Sequence, residues 1–237
     1  MGLLPGISLG RCIWRIWLNN MMDYGQLKEL QELDLEHKLI ITKGRILEWC
    51  EYWEWLIYVS FSGGKDSTVL LDLVCQVWAE SRYIHGNSEL QVVFVDTGLE
   101  YPEIRKFVDL FIPYLAKKYD IKINLAKLKP KMTFKQVLVK YGYPVISKRQ
   151  AQYIREIQNV TGKNEATIKL RLTGIRSSGK YSGYSKISKK KWSYLKDAPF
   201  KISEKCCSVM KKHPMDDYVK KTGRLPFVGT MAADGAG

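Results

Sequence analysis

A chain of 237 residues is long enough for a sizeable buried core and short enough for one α/β domain. Its formal net charge of +14 suits anionic ligands, from a nucleotide to a nucleic acid, without choosing among them. Five cysteines, an odd and sparse set, exclude a secreted disulfide scaffold and point to a reducing, cytoplasmic setting, and no run approaches the ~20 apolar residues of a membrane helix.

Met1 to Asn20 has Leu3, Leu4 and Ile7 but is cut by Pro5, Arg11 and Arg15, which excludes a signal peptide. Gly6 stands where an N-myristoylation start needs Ser or Thr. The Met21-Met22 pair marks a second start for translation, so residues 1–22 are expected to be a dispensable extension and residues 23–237 one α/β domain. From Leu35, apolar positions Leu39, Ile46, Trp49 and Trp53 recur at helical spacing between charged residues, an amphipathic helix whose aromatic stripe and Cys50 face a core.

The organising stretch follows. Ile57 to Phe61 is a β-branched and aromatic strand, Ser62-Gly-Gly-Lys-Asp-Ser67 is a tight turn, and Leu70, Leu73, Val74 and Val77 carry a helix. Adjacent glycines admit a close ligand while the helix behind aims unpaired N–H groups at it, which makes an anion site, for phosphate above all. The Walker pattern fails, because Asp66 follows Lys65 and no glycine stands five positions before Gly64. Ser62 to Ser67 instead resembles the S-G-G-x-D-S signature of the PP-loop ATP pyrophosphatases, which cleave ATP between the α and β phosphates. The resemblance implies nucleotide binding by Ser62, Gly63, Gly64, Lys65, Asp66 and Ser67, with Lys65 and Asp66 nearest the chemistry.

Leu90 to Val95 reads as a buried parallel strand ending in Asp96-Thr97-Gly98. An acid and a glycine at a strand's carboxyl end, beside a strand ending in a phosphate loop, belong to the crevice where open α/β sheets bind ligands. Asp96 is thus a candidate for ribose or Mg²⁺, with Asp66 as second carboxylate, and a cap for the next helix is the alternative. Together with Tyr101-Pro102-Glu103, these motifs resemble the phosphoadenosine phosphosulfate (PAPS) reductase family of bacteria and phages, which includes the small subunit of ATP sulfurylase. That resemblance implies ATP or PAPS as nucleotide, bound also by Asp96, Thr97 and Gly98, with Mg²⁺ and a partner protein or a second copy.

Pro102 starts a helix to about Tyr119, and Ile121 to Leu128 is a third strand. Strands alternating with long helices predict a Rossmann-like, doubly wound parallel sheet with helices on both faces. Thr133 to Lys140 is a short helix, and Ser147 caps another that carries Lys148, Arg149 and Arg155. In the resemblance these cations face the substrate; a solvated helix face is the other reading. Around 174–200 lies a Lys/Ser/Gly-rich insertion whose mixture of lysines and aromatics fits either nucleic-acid contact or an exposed loop beside a nucleotide site. Nucleic acid is the less favoured reading, as no binding motif accompanies it.

Cys206-Cys207 resembles half the iron–sulfur ligand set of some adenylylsulfate reductases. A cluster needs four thiolates, so none is expected within this chain, and thiols packed beneath the site are the better reading. The last strand, Leu225 to Met231, precedes the stop at Gly237. In the family an arginine and, in reductases, a nucleophilic cysteine follow, so either the chain is truncated or another polypeptide carries that chemistry. Three functions are expected: ATP cleavage or adenylyl transfer at the α phosphate with release of pyrophosphate; PAPS or APS reduction by a thiol; and a nucleotide-binding subunit of a nucleic-acid-modification or sulfur-transfer complex.

Overall fold

The structure is a computed structural model that describes residues 24–86 and 88–230. The expected extension over residues 1–22, Cys12 and the end of the last predicted strand at Met231 lie outside the described residues. The chain clusters into two compact units, Met1–Glu51 and Tyr52–Gly237. In the first, α1 (Tyr24–Glu32) is followed by α2 (Leu35–Tyr52), which runs one residue into the second unit. Asp34 caps α2, its Oδ1 accepting the His37 N–H at 2.9 Å.

The second unit is built on four short parallel strands, β1 (Ile57–Ser60), β2 (Leu90–Val95), β3 (Ile123–Leu128) and β4 (Leu225–Val228). Their spatial order is β3-β2-β1-β4. Ile57, Tyr58 and Val59 of β1 and Leu90, Val92, Val93 and Phe94 of β2 are buried, as expected of central strands covered on both faces. Pro226 is tolerated because β4 is an edge strand.

Alternation along β1 places helices on both sides. Phe61 stacks with Phe111 and meets Phe107 at a tilt, both on α4 (Pro102–Tyr119), on one face. On the other face Tyr58 meets Tyr218 edge-on and the Ser60 hydroxyl reaches the Met215 sulfur, both residues on the last helix. The α3 helix (Lys65–Glu80) packs beside α4, joined by Asp72, which accepts from Lys118 Nζ at 2.9 Å and the Tyr119 hydroxyl at 2.9 Å. The doubly wound parallel sheet is therefore present, and β1, flanked by β2 and by the late-returning β4, marks the point where strand order reverses.

The remaining helices of eight residues or more are α5 (Phe134–Tyr141), α6 (Lys148–Gln158), α7 (Glu165–Thr173) and α8 (His213–Thr222). Thr133 and Gln136 form a capping box that starts α5. The stretch around 174–200 carries a core of its own: Ile187 and Leu195 are buried with Ala151 and Ile154 of α6 and with Ile202. A short turn at Lys205–Cys207 continues through a π-helical segment, Ser208–Lys212, into α8. The π segment lies one turn ahead of Pro214, whose ring excludes an ordinary α-helical approach of the carbonyl four residues back.

Candidate functional site

One residue beyond β1 the Phe61 N–H still reaches the Val93 carbonyl at 2.9 Å, so the chain leaves the sheet only at Ser62. Gly63 then takes φ +74°, and a Cβ there would stand 3.0 Å from Ile104 Cγ2 on α4. Both the backbone and the neighbouring helix demand glycine at this position. Gly64, at φ −82°, is the N-cap of α3 and has no backbone requirement for glycine, although a Cβ there would stand 3.3 Å from Ser62 Oγ.

Hydroxyls fix the turn. Ser67 Oγ donates to the Gly64 carbonyl at 3.0 Å, and Thr68 Oγ1 donates to the same oxygen at 2.8 Å. Ser62 Oγ lies 3.0 Å from Ser67 Oγ and accepts the Gly64 N–H at 3.3 Å. Ser67 is buried by this latch, whereas Lys65 and Asp66 stand exposed at the first turn of α3. A glycine cap offers no side-chain acceptor to the first-turn N–H groups, which leaves them for an anion.

The second predicted loop lies at the carboxyl end of the adjacent strand. Asp96 N–H extends the β2–β3 ladder to the Leu128 carbonyl at 2.8 Å. Its Oδ1 accepts from Gly98 N–H and from Arg105 Nη2, both at 3.0 Å. Desolvation works against the Asp96 charge, yet the Gly98 N–H and the Arg105 guanidinium outweigh it and hold the carboxyl below the usual aspartate range. Buried Thr97 donates from its backbone N–H and its hydroxyl to Glu100, each at 2.8 Å, which closes the turn. The alternative of Asp96 as a helix cap is corrected here: Tyr101 is the N-cap of α4, and Asp96 binds Arg105 further along that helix.

Three site residues escaped sequence reasoning. Arg105 pairs with Asp96 while its Nε is buried without a hydrogen-bond partner. Nothing local marks it, since only the fold brings α4 back over β2. Glu100 holds Thr97. Gly229, just past β4, is packed so closely that a Cβ would lie 3.0 Å from the Asp66 carbonyl carbon. A glycine inside the predicted last strand was the one readable signal for such an approach.

The basic trio divides by surroundings. Lys148 and Arg149 are exposed at the start of α6, but Arg155 is bidentate to Glu204, with Nε at 3.0 Å from Oε2 and Nη2 at 3.0 Å from Oε1. Cys206 packs against a small cluster of Val137, Val209 and Met210, and Cys207 beside it is half-buried. Burial pushes the Cys75 and Cys50 thiols up to about 12, which leaves them unreactive. Among the described residues no three His, Cys, Asp or Glu side chains gather as a metal site, and no helix is long and apolar enough to cross a membrane.

The family model of the phosphoadenosine phosphosulfate reductase domain matches residues 56–188, more than half of the chain. The chain belongs to that family. Its PAPS reductase domain thus contains the Ser62–Ser67 loop, the Asp96 loop and the start of the basic stretch. An uncharacterised protein of Methanocaldococcus jannaschii is 39% identical over 110 residues, 46% of this chain and 23% of that protein. An adenosine 5'-phosphosulfate reductase of Staphylococcus haemolyticus is 32% identical over 124 residues, 49% of this chain and 44% of the reductase. The chain thus spans less than half the length of either relative. The crystal structure of a PAPS reductase from Candida auris in complex with phosphate aligns over 88% of this chain and 68% of its own, at 12% identity and a TM-score of 0.35, too loose to transfer any feature.

Proposed function

We propose that this PAPS reductase domain is an adenine-nucleotide enzyme that binds ATP through Ser62–Ser67 and cleaves it at the α phosphate. The observation that carries this reading is the hydroxyl-latched loop, which presents the uncapped first turn of α3 and exposed Lys65 at the point where strand order reverses. The β and γ phosphates lie on the loop and the helix N-terminus. An oxyanion acceptor, or water, attacks the α phosphorus; the new P–O bond forms as the bond to the β-bridging oxygen breaks, and pyrophosphate leaves with that electron pair. The protein's share is positioning and charge stabilisation, with Lys65 neutralising the leaving group.

Asp96 is already held by Arg105 and Gly98, so the donor set forms no metal cage of its own. It fits a Mg²⁺ carried in on the phosphates, which needs only one or two carboxylates, here Asp66 and Asp96. Such an ion would supply further neutralisation of the departing charge. Arg105 and the Gly98 N–H would keep Asp96 ionised for that purpose or for a ribose hydroxyl.

A second reading, sulfonucleotide reduction, is supported by the reductase relatives. It requires a thiolate to attack the sulfur of PAPS or APS, displacing the nucleotide phosphate, and a thioredoxin-type dithiol to release sulfite. Cys206 would have to leave its apolar packing to do so, and Cys207, equally half-buried, is the second candidate.

Calorimetric titration of ATP with Mg²⁺, and of PAPS, into the wild type and Lys65→Ala separates the two. The expected result is ATP binding that weakens about tenfold to a hundredfold in Lys65→Ala, the worth of one charge-assisted hydrogen bond. Preference for PAPS, with ATP ignored, overturns the ATP reading in favour of reduction.

A further inference from the structure

Residues 174–196 hold seven basic residues and no acidic one. The structure adds that this stretch is a shaped surface. Ile187 and Leu195 are buried against α6, and Trp192 packs on the same cluster. The backbone is tied down on either side: the Tyr153 hydroxyl donates to the Tyr184 carbonyl at 2.8 Å, Arg171 Nη1 to the Ser185 carbonyl at 3.1 Å, and the Ser188 N–H to Gln150 Oε1 at 3.0 Å. Ile175 and Tyr181 form an antiparallel bridge at its start.

On this frame the rings of Tyr184 and Tyr194 remain 84% and 67% exposed, although each neighbours a residue or backbone group that anchors the stretch. Among the described residues Arg176, Lys180, Lys189, Lys190 and Lys191 make no ion pair. Holding exposed aromatic rings in water and like charges together costs free energy that the fold itself does not recover. A ligand with a repeated negative charge and flat apolar faces recovers both. An acidic protein surface satisfies the lysines and leaves the rings unused; duplex nucleic acid likewise presents phosphates but keeps its base faces stacked inside.

We infer that residues 174–196 form a docking surface for single-stranded nucleic acid, with Lys189, Lys190 and Lys191 against the phosphodiester backbone and Tyr184 and Tyr194 as stacking platforms for bases. The lysines are point charges without the fork geometry that reads base edges, so binding is sequence-tolerant. The surface stands apart from the Ser62–Ser67 loop in sequence and in its anchoring, and the inference does not depend on the ATP reading.

The test is fluorescence anisotropy of a short labelled single strand of mixed sequence, followed across a salt series. Binding should weaken linearly on a log–log plot, and the combined change Lys189→Gln, Lys190→Gln, Lys191→Gln should reduce the slope by about 2. Tyr184→Ala with Tyr194→Ala should keep the slope and weaken binding about fivefold to a hundredfold for each base no longer stacked. ATP calorimetry on the same variants, and their urea midpoints, should match the wild type, which separates failure of this surface from failure of the nucleotide site or of folding. Absence of binding at low salt overturns the inference. So does a slope unchanged by the lysine substitutions, equal affinity for the duplex, or equal competition by polyglutamate.

Discussion

At the scale of single residues, the site rests on side chains that hold loops rather than on side chains waiting for substrate. Ser62, Ser67 and Thr68 spend their hydroxyls on the loop itself, and Thr97 spends its own on Glu100. Lys65 is left exposed to meet an anion. Asp96 is the one carboxylate of the site whose charge is actively maintained, and this has a pH signature. Its folded-state pKa is depressed, so its contribution to stability is complete above the unfolded value, about 4, and is lost as pH falls below that. Asp96→Asn removes the proton-binding difference and leaves Arg105 beside a neutral amide. The wild type should therefore lose stability to acid more steeply below about pH 4 than Asp96→Asn does, read as urea midpoint against pH. Parallel acid limbs would show that the Arg105 pair does not form in solution. The sequence signalled Asp96 by its place after a strand; it held no signal for Arg105, because that contact needs α4 folded back across the sheet.

At the scale of elements, α4 does the organising. Its first turns bring Ile104 against Gly63 and Arg105 against Asp96, so one helix seats both loops. The helix was legible from Pro102 to about Tyr119 because proline at the first position is a local start signal, and it runs on through the internal Pro113. The stretch after α5 was less so. Helix α7 was not anticipated, because Glu165 to Thr173 has little one-sided periodicity, and the basic stretch read as a loop although Ile187 and Leu195 bury it against α6. Its return to the domain depends on a close crossing at Gly142. That residue has φ +110°, and a Cβ would meet the Lys201 carbonyl carbon at 2.5 Å, where Tyr143 N–H donates to Lys201 O at 2.8 Å. Gly142→Ala should cost about 2–5 kcal/mol, the sum of an unfavourable backbone and an overpacked contact. Gly179→Ala, with φ +79° but open space around it, should cost only about 1–2 kcal/mol. Urea denaturation of the pair tests this, and equal losses would mean that the crossing yields.

At the scale of the whole second unit, the two ends of the fold meet at the Ser62–Ser67 loop. β4 pairs with β1 across 168 positions of chain, next to the Arg224 contact to the Ile57 carbonyl, and delivers Gly229 onto the first turn of α3. Gly229→Ala should push that turn or the end of β4 aside, at about 1–3 kcal/mol of stability. Because the displaced group is the turn proposed to hold the phosphates, the added stability conferred by saturating ATP should shrink as well, measured as the shift in urea midpoint with and without nucleotide. A variant that loses stability yet keeps the full ATP-dependent shift would place the strain elsewhere.

The sequence alone determined what short range can encode. A glycine-bearing turn between a β-branched strand and an apolar-periodic helix specifies strand, tight turn and helix by backbone sterics and periodicity, with no help from distant residues. The same holds for Leu90–Val95, for the capping box at Thr133, and for the family membership that the Ser62–Ser67 and Asp96 motifs signalled. Tertiary structure decided which of two glycines is indispensable, that Arg155 serves Glu204, that Arg105 holds Asp96, and that Gly229 closes the site. Each of these depends on groups far apart in the chain, whose approach is set by the burial of whole faces of helix and sheet, and a local pattern carries no record of which partner that burial will supply.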